Sequence, residues 1–420
     1  MSRGATYLLL GSRVVNQTLE ASRIPTQSQV RLGKRFAVNT KALVLAANAV
    51  ARQGGQGLNL QHMLEALRED FELSVFCRDA GEPRTHKVPP SPLSTALGRV
   101  PLLRRRRDWL VLASDLHFDR YVASHLPAAD VFQGVVGQCA ESLQAARRRG
   151  MRTVLDVVNT HVDDFRAHVD RESRKFGLKG NIGPAMYQRI LQEYRTADVV
   201  RVMSERSRHT FLTRGFPEEK LVVASPPMDL GEFSPATFKQ GVFRVGFVGL
   251  IEPWKGFHYL LDAWESLKPK DAELVLWGGP GSRAATNMIR KFQARDTSLL
   301  VKPQEVRKVG YAEVYGKMSV LVHPSLADGF SYSVVEAMAS GVPVIVTDNT
   351  GAADLVEEGV NGYVVPTADA RALHERLEHL YRHPELLPRM GAKAREAVQR
   401  HLTPENFRRP LVTRIQQALA

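Results

Sequence analysis

The sequence predicts an α/β protein made of two doubly wound domains in tandem. Three observations carry this. At 420 residues the chain is too long for one ordinary core. Short apolar runs alternate with stretches of helical spacing, and this happens twice over. That is the pattern of parallel strands covered on both faces. Between the two series lies "SPPMDLGEFSPATFKQG", residues 225–241, rich in Pro and Gly and read as a linker.

Residues 1–38 are polar, basic and weakly periodic, and are expected to form a poorly ordered extension. The first series starts at Lys41. "KALVLAANAV" reads as a strand, "RQGGQG" as a glycine-rich turn, and "LNLQHMLEALRED" as a helix with Leu60, Met63, Leu64 and Leu67 on one face. "FELSVFC", "DWLVLAS", "DVFQGVV", "RTVLDVV", "DVVRVMS" and "KLVVAS" read as further strands. The second series is "FRVGFVGL", "AELVLWGG", "SLLVKP", "VLVHPS", "VPVIVTD" and "GYVVP". "TPENFRRPLVTRIQQALA" has a Thr N-cap and runs helical to the end. The expected layout is an extension over 1–38, an N-terminal domain over 39–228 and a linker over 229–241. A C-terminal domain over 242–400 and a last helix over 401–420, packing back on the N-terminal domain, complete it.

Composition narrows the function classes. No run approaches eighteen apolar residues, so no spanning segment is expected. The apolar core of "MSRGATYLLLGSRVV" is too short for a secretory signal. Cys77 and Cys139 make neither a disulfide framework nor a zinc site, and a cytoplasmic location is expected. Residues 1–240 carry a net +11 and residues 241–420 only +2. A basic N-terminal half suits an anionic partner: an acidic acceptor, an anionic membrane surface or nucleic acid. "LLRRRRDW" (102–109) and "ARRRG" (146–150) are its densest clusters. No basic stripe is interleaved with aromatics, so nucleic acid is not expected.

The stretch "HPSLADGFSYSVVEAMASGVPVIVTD", 323–348, carries the chemistry. A strand leads into a helix that should begin near Gly329 to Ser331. Its first amides have no intrahelical partner, and the dipole is positive there, so it suits a phosphate. Asp328 lies just outside the helix and Glu336 in its second turn. Both can face one crevice at the carboxyl ends of the strands, where open α/β sheets bind ligands. Carboxylates accept hydrogen bonds from paired hydroxyls, so the set suits a nucleotide sugar. In "VGFVGLIEPWKGFHYLLDAWESL", 245–267, a strand ends at Gly249 and Lys255 sits beside the next helix start. An ammonium there neutralises phosphate oxygens. "LWGGPG" ends another strand in Gly278 and Gly279, which lets a ligand approach the backbone.

Together these residues resemble the family 4 glycosyltransferases of the GT-B fold, two Rossmann-like domains facing a central cleft. The C-terminal domain of that family reads GRL-x-x-x-KG, a Gly-Gly-Pro loop, then PS-x-x-EGF-x-x-x-x-x-EA-x-A-x-G-x-PV. Here those are "GLIEPWKG", "GGPG" and "PSLADGFSYSVVEAMASGVPV". "TDNTGAADLVEEGVNGYVVP" and "ADVVRVMSERSRHTFLTRGFPEEKLVVASPPMDLGEFSP" also match, so the likeness runs from about 196 to 368. "GGQGLNLQHMLEAL" extends it toward the N-terminus.

The resemblance implies the roles. Glu336 takes the donor ribose, Asp328 the transferred sugar, and Gly329, Phe330 and Ser331 offer amides to phosphate and sugar. Lys255 takes the diphosphate. Gly54 and Gly55 stand for the glycine loop near the reacting centre, and His161 for a histidine close to the donor sugar. The reaction implied is transfer of a hexosyl-type group from a nucleoside-diphosphate sugar to a glycan, lipid-linked or small-molecule acceptor. It goes with retention of configuration and needs no metal or other cofactor. In agreement, the chain has no Asp-x-Asp pair. Two departures stand out. Leu250 occupies the place of the family's Arg, which leaves room for a weak or inactive sugar-nucleotide-binding subunit, and Asp328 is one methylene shorter than Glu. A GT-B-fold nucleotide-sugar epimerase fits the motifs less well. Any membrane attachment is expected to be peripheral, at the inner face.

Overall fold

The structure is a computed structural model and describes residues 40–81, 84–99, 107–180, 182–236, 242–304 and 306–420. The extension expected over 1–38 lies outside the described residues. So do Arg104 to Arg106 of the first arginine cluster and 237–241 of the linker.

The first half runs β1 (Lys41–Ala46), α1 (Gly54–Leu67), β2 (Phe71–Cys77), β3 (Thr85–Lys87), α2 (Pro92–Arg99) and α3 (Arg107–His125). It continues β4 (Val131–Val135), α4 (Ala140–Arg148), β5 (Arg152–Val157), α5 (Val162–Lys175), α6 (Pro184–Thr196), β6 (Val199–Val202), α7 (Glu205–Leu212) and β7 (Leu221–Val223). The second half begins β8 (Phe243–Val248), α8 (Phe257–Leu267), β9 (Ala272–Trp277), α9 (Arg283–Gln293), β10 (Leu299–Lys302), α10 (Val306–Val309) and α11 (Tyr311–Tyr315). Then come β11 (Val320–His323), α12 (Tyr332–Ala339), β12 (Val344–Thr347), β13 (Gly362–Val365), α13 (Ala370–Arg382), α14 (Leu386–His401) and α15 (Pro404–Leu419).

The strands form two sheets, ordered β3-β2-β1-β4-β5-β6-β7 and β10-β9-β8-β11-β12-β13. All their pairings are parallel. Parallel strands need covering on both faces, so most of their side chains are apolar whichever way they point. In β11 and β12 every residue is buried. The order reverses at β1/β4 in the first sheet and at β8/β11 in the second, and each reversal opens a crevice beyond the strand ends. Two Rossmann-like domains of this kind, facing a cleft, are the GT-B fold.

The C-terminal helix α15 lies on the first sheet, against α1 and the β5–β7 edge. Phe407 sits 5.1 Å under the Arg201 guanidinium, and Arg408 pairs with Asp70 at 2.7 Å. Two local readings are corrected. "DWLVLAS" is part of α3, not a strand. Its buried residues Asp115, Phe118, Asp119 and Val122 recur at helical spacing, while Trp109 and Val111 are more than half exposed. The "RQGGQG" turn closes earlier than expected, because α1 already starts at Gly54. Gly57 permits this: a Cβ there would lie 2.1 Å from the Val50 carbonyl oxygen.

Candidate functional site

The second sheet's switch point gathers the predicted C-terminal residues. After β8 the chain passes Gly249 into a 3₁₀ turn, Pro253–Lys255, and Gly256 starts α8 at φ +71°. A Cβ at Gly256 would meet the Pro324 carbonyl oxygen at 1.8 Å, so glycine is required both by conformation and by space. The Leu326 N–H donates to the Trp254 carbonyl at 3.1 Å, which knits the lysine turn to the loop after β11. That loop carries Asp328. Lys255 Nζ lies 2.5 Å from Asp328 Oδ2, with the two side chains 16% and 15% exposed. His323, the last residue of β11, brings Nε2 to 3.1 Å from the same oxygen. Ser331 Oγ is 3.1 Å from that Nε2 and 3.3 Å from Ser333 Oγ.

Electrostatics follow from this packing. Burial pushes the Asp328 carboxyl up, but the Lys255 ammonium and the His323 contact outweigh it and hold it well below the usual carboxylate range. Burial lowers His323 despite the Asp328 contact that raises it, which favours the neutral imidazole. Ser331, the N-cap of α12, has φ +70° and ψ +87°. Six described non-glycine residues have positive φ, and Ser331 is the buried one among them.

The first domain closes over this loop. Ser204 Oγ and Ser207 Oγ donate to the Gly329 carbonyl at 2.8 and 3.2 Å. A Cβ at Gly329 would lie 2.5 Å from the Val158 carbonyl oxygen and the Asn159 Cα. A second bridge joins α5 to α8. Glu172 accepts from Tyr259 Oη at 3.0 Å, pairs with Lys175 at 2.8 Å and meets His258 Nε2 at 2.8 Å.

Between the domains is a pocket of about 410 Å³, lined by Gly55 and Gln56 of α1 and by Gly249, Leu250, Lys255, His323, Asp328 and Ser331. A neighbouring pocket of about 370 Å³ holds Glu336 with Arg52, Glu65, Tyr311 and Tyr332. Glu336 accepts from Tyr315 Oη at 2.7 Å. Asp328 lines the first of these pockets and Glu336 the second, and Tyr332 lines both.

The remaining predicted residues fall in different places. Gly54 and Gly55 form the first turn of α1 rather than a loop, with Gly55 facing the pocket and Gly54 at φ +65°. Phe330 lines the pocket. Gly278 and Gly279 back the site instead of lining it. A Cβ on Gly278 would strike the Gly249 carbonyl oxygen at 1.9 Å, and the Gly279 carbonyl accepts from the Ile251 N–H. His161 is away from the pocket lining. It caps α5, its Nδ1 accepting from the Asp163 N–H at 3.2 Å, and its ring packs on Tyr194 and Phe211. Burial lowers it to about 4. In the second arginine cluster, Arg147 and Arg149 donate to the Thr196 and Leu126 carbonyls, so both serve the fold. Sequence reasoning missed His323, Gln56 and Tyr315. The "H" before "PS" was a usable signal, since a polar residue ending a fully apolar strand points beyond the sheet. No group of three or more His, Cys, Asp or Glu among the described residues is arranged to hold a metal.

Residues 232–397 match the family model "Glycosyl transferases group 1". The C-terminal half is thus related to that group. The candidate colanic acid biosynthesis glycosyltransferase WcaL of Escherichia coli is 28% identical over 236 residues, 54% of this chain and 58% of its own. The capsular polysaccharide biosynthesis glycosyltransferase CapM of Staphylococcus aureus is 30% identical over 37% of this chain and 41% of its own. The chain spans about half the length of the curated relatives it matches. Among solved structures, sucrose-phosphate synthase from Thermosynechococcus elongatus superposes with a TM-score of 0.68 at 19% identity, over 90% of this chain and 98% of that one. HepE of Anabaena, in complex with UDP, gives 0.63 at 16% identity over 90% and 100%. At these identities they share the fold. No helix among the described residues is long and apolar enough to cross a membrane.

Proposed function

We propose that this protein is a glycosyltransferase that moves a hexosyl-type group from a nucleoside-diphosphate sugar to a glycan or lipid-linked acceptor, with retention of configuration and without a metal. The observation that carries the reading is the meeting of Lys255, Asp328 and the first amides of α12 in one interdomain pocket at the β8/β11 switch point. The relatives named for polysaccharide biosynthesis and the neighbour that holds UDP support it.

In this reading the α12 amides and Lys255 stabilise charge building on the leaving phosphate. Asp328 takes hydroxyls of the transferred sugar, and Glu336 takes the ribose from the adjoining pocket. The bond from the anomeric carbon to the phosphate oxygen breaks. The acceptor oxygen bonds to that carbon from the same face, and its proton passes to the departing phosphate. The contacts of Ser204, Ser207 and Asn159 on the Gly329 loop keep water out while this occurs. Trp109 and Val111, exposed on α3, follow the arginine run in sequence and favour an acceptor met at an anionic surface. Leu250, 46% exposed where the family has Arg, favours a second reading: a sugar-nucleotide-binding subunit with little turnover.

A thermal-shift screen of UDP-, GDP- and ADP-sugars tests the site. One series should raise the melting temperature in proportion to the logarithm of concentration. Glu336→Ala and Lys255→Ala should abolish the rise; if both respond like wild type, the site is elsewhere. Transfer to acceptors in anionic vesicles, with the product anomer read by NMR, separates the enzyme from the subunit and tests retention.

A further inference from the structure

The Lys255–Asp328 pair occupies the position that a donor's phosphate and sugar must share, and this bears on which ligands the pocket admits. The inference rests on the donor-site reading above. Lys255 is the single Lys or Arg among the described residues lining this pocket, and Asp328 is its partner at 2.5 Å. The neighbouring wall offers Leu250, not a second cation. A phosphate entering here has to draw the ammonium away from Asp328.

What happens to Asp328 then depends on the ligand. Among the described residues its Oδ1 has only the Phe330 N–H at 3.4 Å, and its Oδ2 keeps His323 at 3.1 Å. With a free nucleoside diphosphate, the largely buried carboxylate would lose its cation, which is costly. An intact nucleotide sugar brings hydroxyl donors to Asp328 as Lys255 turns to the phosphate. His323, braced by Ser331 Oγ at 3.1 Å, holds the carboxylate in place through the exchange.

We propose that the Lys255–Asp328 pair is a partner-exchange lock that makes the pocket select the intact nucleotide sugar over the free nucleoside diphosphate. After transfer the sugar no longer occupies Asp328, the carboxylate reclaims Lys255, and the nucleotide is expelled. The carboxylate lies within reach of both Lys255 and His323. Nucleotide release is thereby tied to completed transfer.

Calorimetric titration of the full chain tests this with three pairs: UDP and UDP-glucose, GDP and GDP-mannose, ADP and ADP-glucose. For the pair whose sugar form shifts melting most, wild type should bind the sugar form at least tenfold more tightly than the bare nucleotide. Asp328→Asn keeps the size and removes the charge. It should bind the bare nucleotide at least tenfold more tightly than wild type, and its preference for the sugar form should shrink to within threefold. Asp328→Glu should retain the preference. Equal wild-type affinity for the two ligands overturns the lock, and that measurement needs no variant to fold. An Asp328→Asn protein that melts as a folded chain yet gains nothing for the bare nucleotide overturns it too. If Lys255→Ala loses both ligands in that case, the donor site stands and only the lock fails. If Lys255→Ala and Asp328→Asn both bind like wild type, the donor-site reading itself is wrong.

Discussion

The two sheets bury their charges in different places. Among the described residues, eight buried Asp, Glu or Arg side chains belong to the first domain, and Glu336 alone belongs to the second. In the first domain all but Glu172 are spent inside. Arg201, 0% exposed, donates Nη1 to Asp156 at 2.5 Å and to Asn59 at 2.9 Å, while Nε and Nη2 go to the Ala224 carbonyl. Arg189 pairs with Asp119, and Glu193 accepts from the Gly137 and Cys139 amides. Burial raises Glu193 to about 7 despite those amides, and raises Asp115 to about 6 despite the Asn48 hydrogen bond. In the second domain the ion pair between β8 and β9, Arg244–Glu273 at 2.7 Å, is partly exposed, and beyond the strand ends Lys255 keeps Asp328 charged. A buried pair with every polar atom used below the strand ends holds the scaffold. A pair at the mouth of a switch point is available for exchange.

The sharpest way to break this contrast is to cut the deep pair. Asp156→Ala leaves the Arg201 guanidinium buried without a counter-charge, which should cost about 3–5 kcal/mol in urea unfolding. Nucleotide affinity measured below the unfolding transition should be unchanged. A stable Asp156→Ala protein that fails to bind nucleotide would place function in the scaffold pair and dissolve the distinction.

Glu172 joins the two regions, and its effect should be intermediate. Burial raises its carboxyl, but hydrogen bonds from His258 and Lys175 overcome this and bring it down to about 2 from 4.5. The folded-state value is depressed, so the stabilisation is fully present above pH 4.5 and is lost as pH falls toward 2. Wild type should exceed Glu172→Gln by on the order of 2 kcal/mol at pH 6. The two should converge only once the pH falls below about 2. A gap that stays constant across that range would mean the bridge is not ionic in origin.

What was legible in the sequence follows the same division. The second sheet could be read almost strand by strand, because runs such as "VLVH" and "VIVT" are buried on both faces and carry no charge. The first sheet hides polar residues in its layers, and there reading slipped. "DWLVLAS" looked like a strand because its apolar residues are contiguous, yet the helix buries Asp115 and Asp119 and exposes Trp109. His161 enters through the family resemblance, as a histidine close to the donor sugar, where the fold uses it as a helix cap. The crevice containing Lys255, Asp328 and the start of α12 was legible because strand ends and glycines mark it. That Glu336 lines a neighbouring pocket, with Tyr332 common to both, was not, since spacing along a helix does not say which cavity a carboxylate faces.

The smallest effect concerns Ser331, where the second domain keeps backbone strain in place of a deep ion pair. A left-handed conformation costs a residue with a Cβ about 1–2 kcal/mol relative to glycine. Ser331→Ala removes the hydroxyl and keeps the Cβ; Ser331→Gly removes both. The glycine variant should therefore be more stable than the alanine variant by about 1 kcal/mol, after allowing for the greater backbone entropy of glycine. Both lose the contact to His323 Nε2, so both should lose the same share of preference for the sugar form over the bare nucleotide. If glycine restores that preference along with stability, the hydroxyl has no part in holding His323 and the strain is incidental. If alanine and glycine are equally stable, the positive φ of Ser331 carries no cost, and the second domain stores nothing at this helix start.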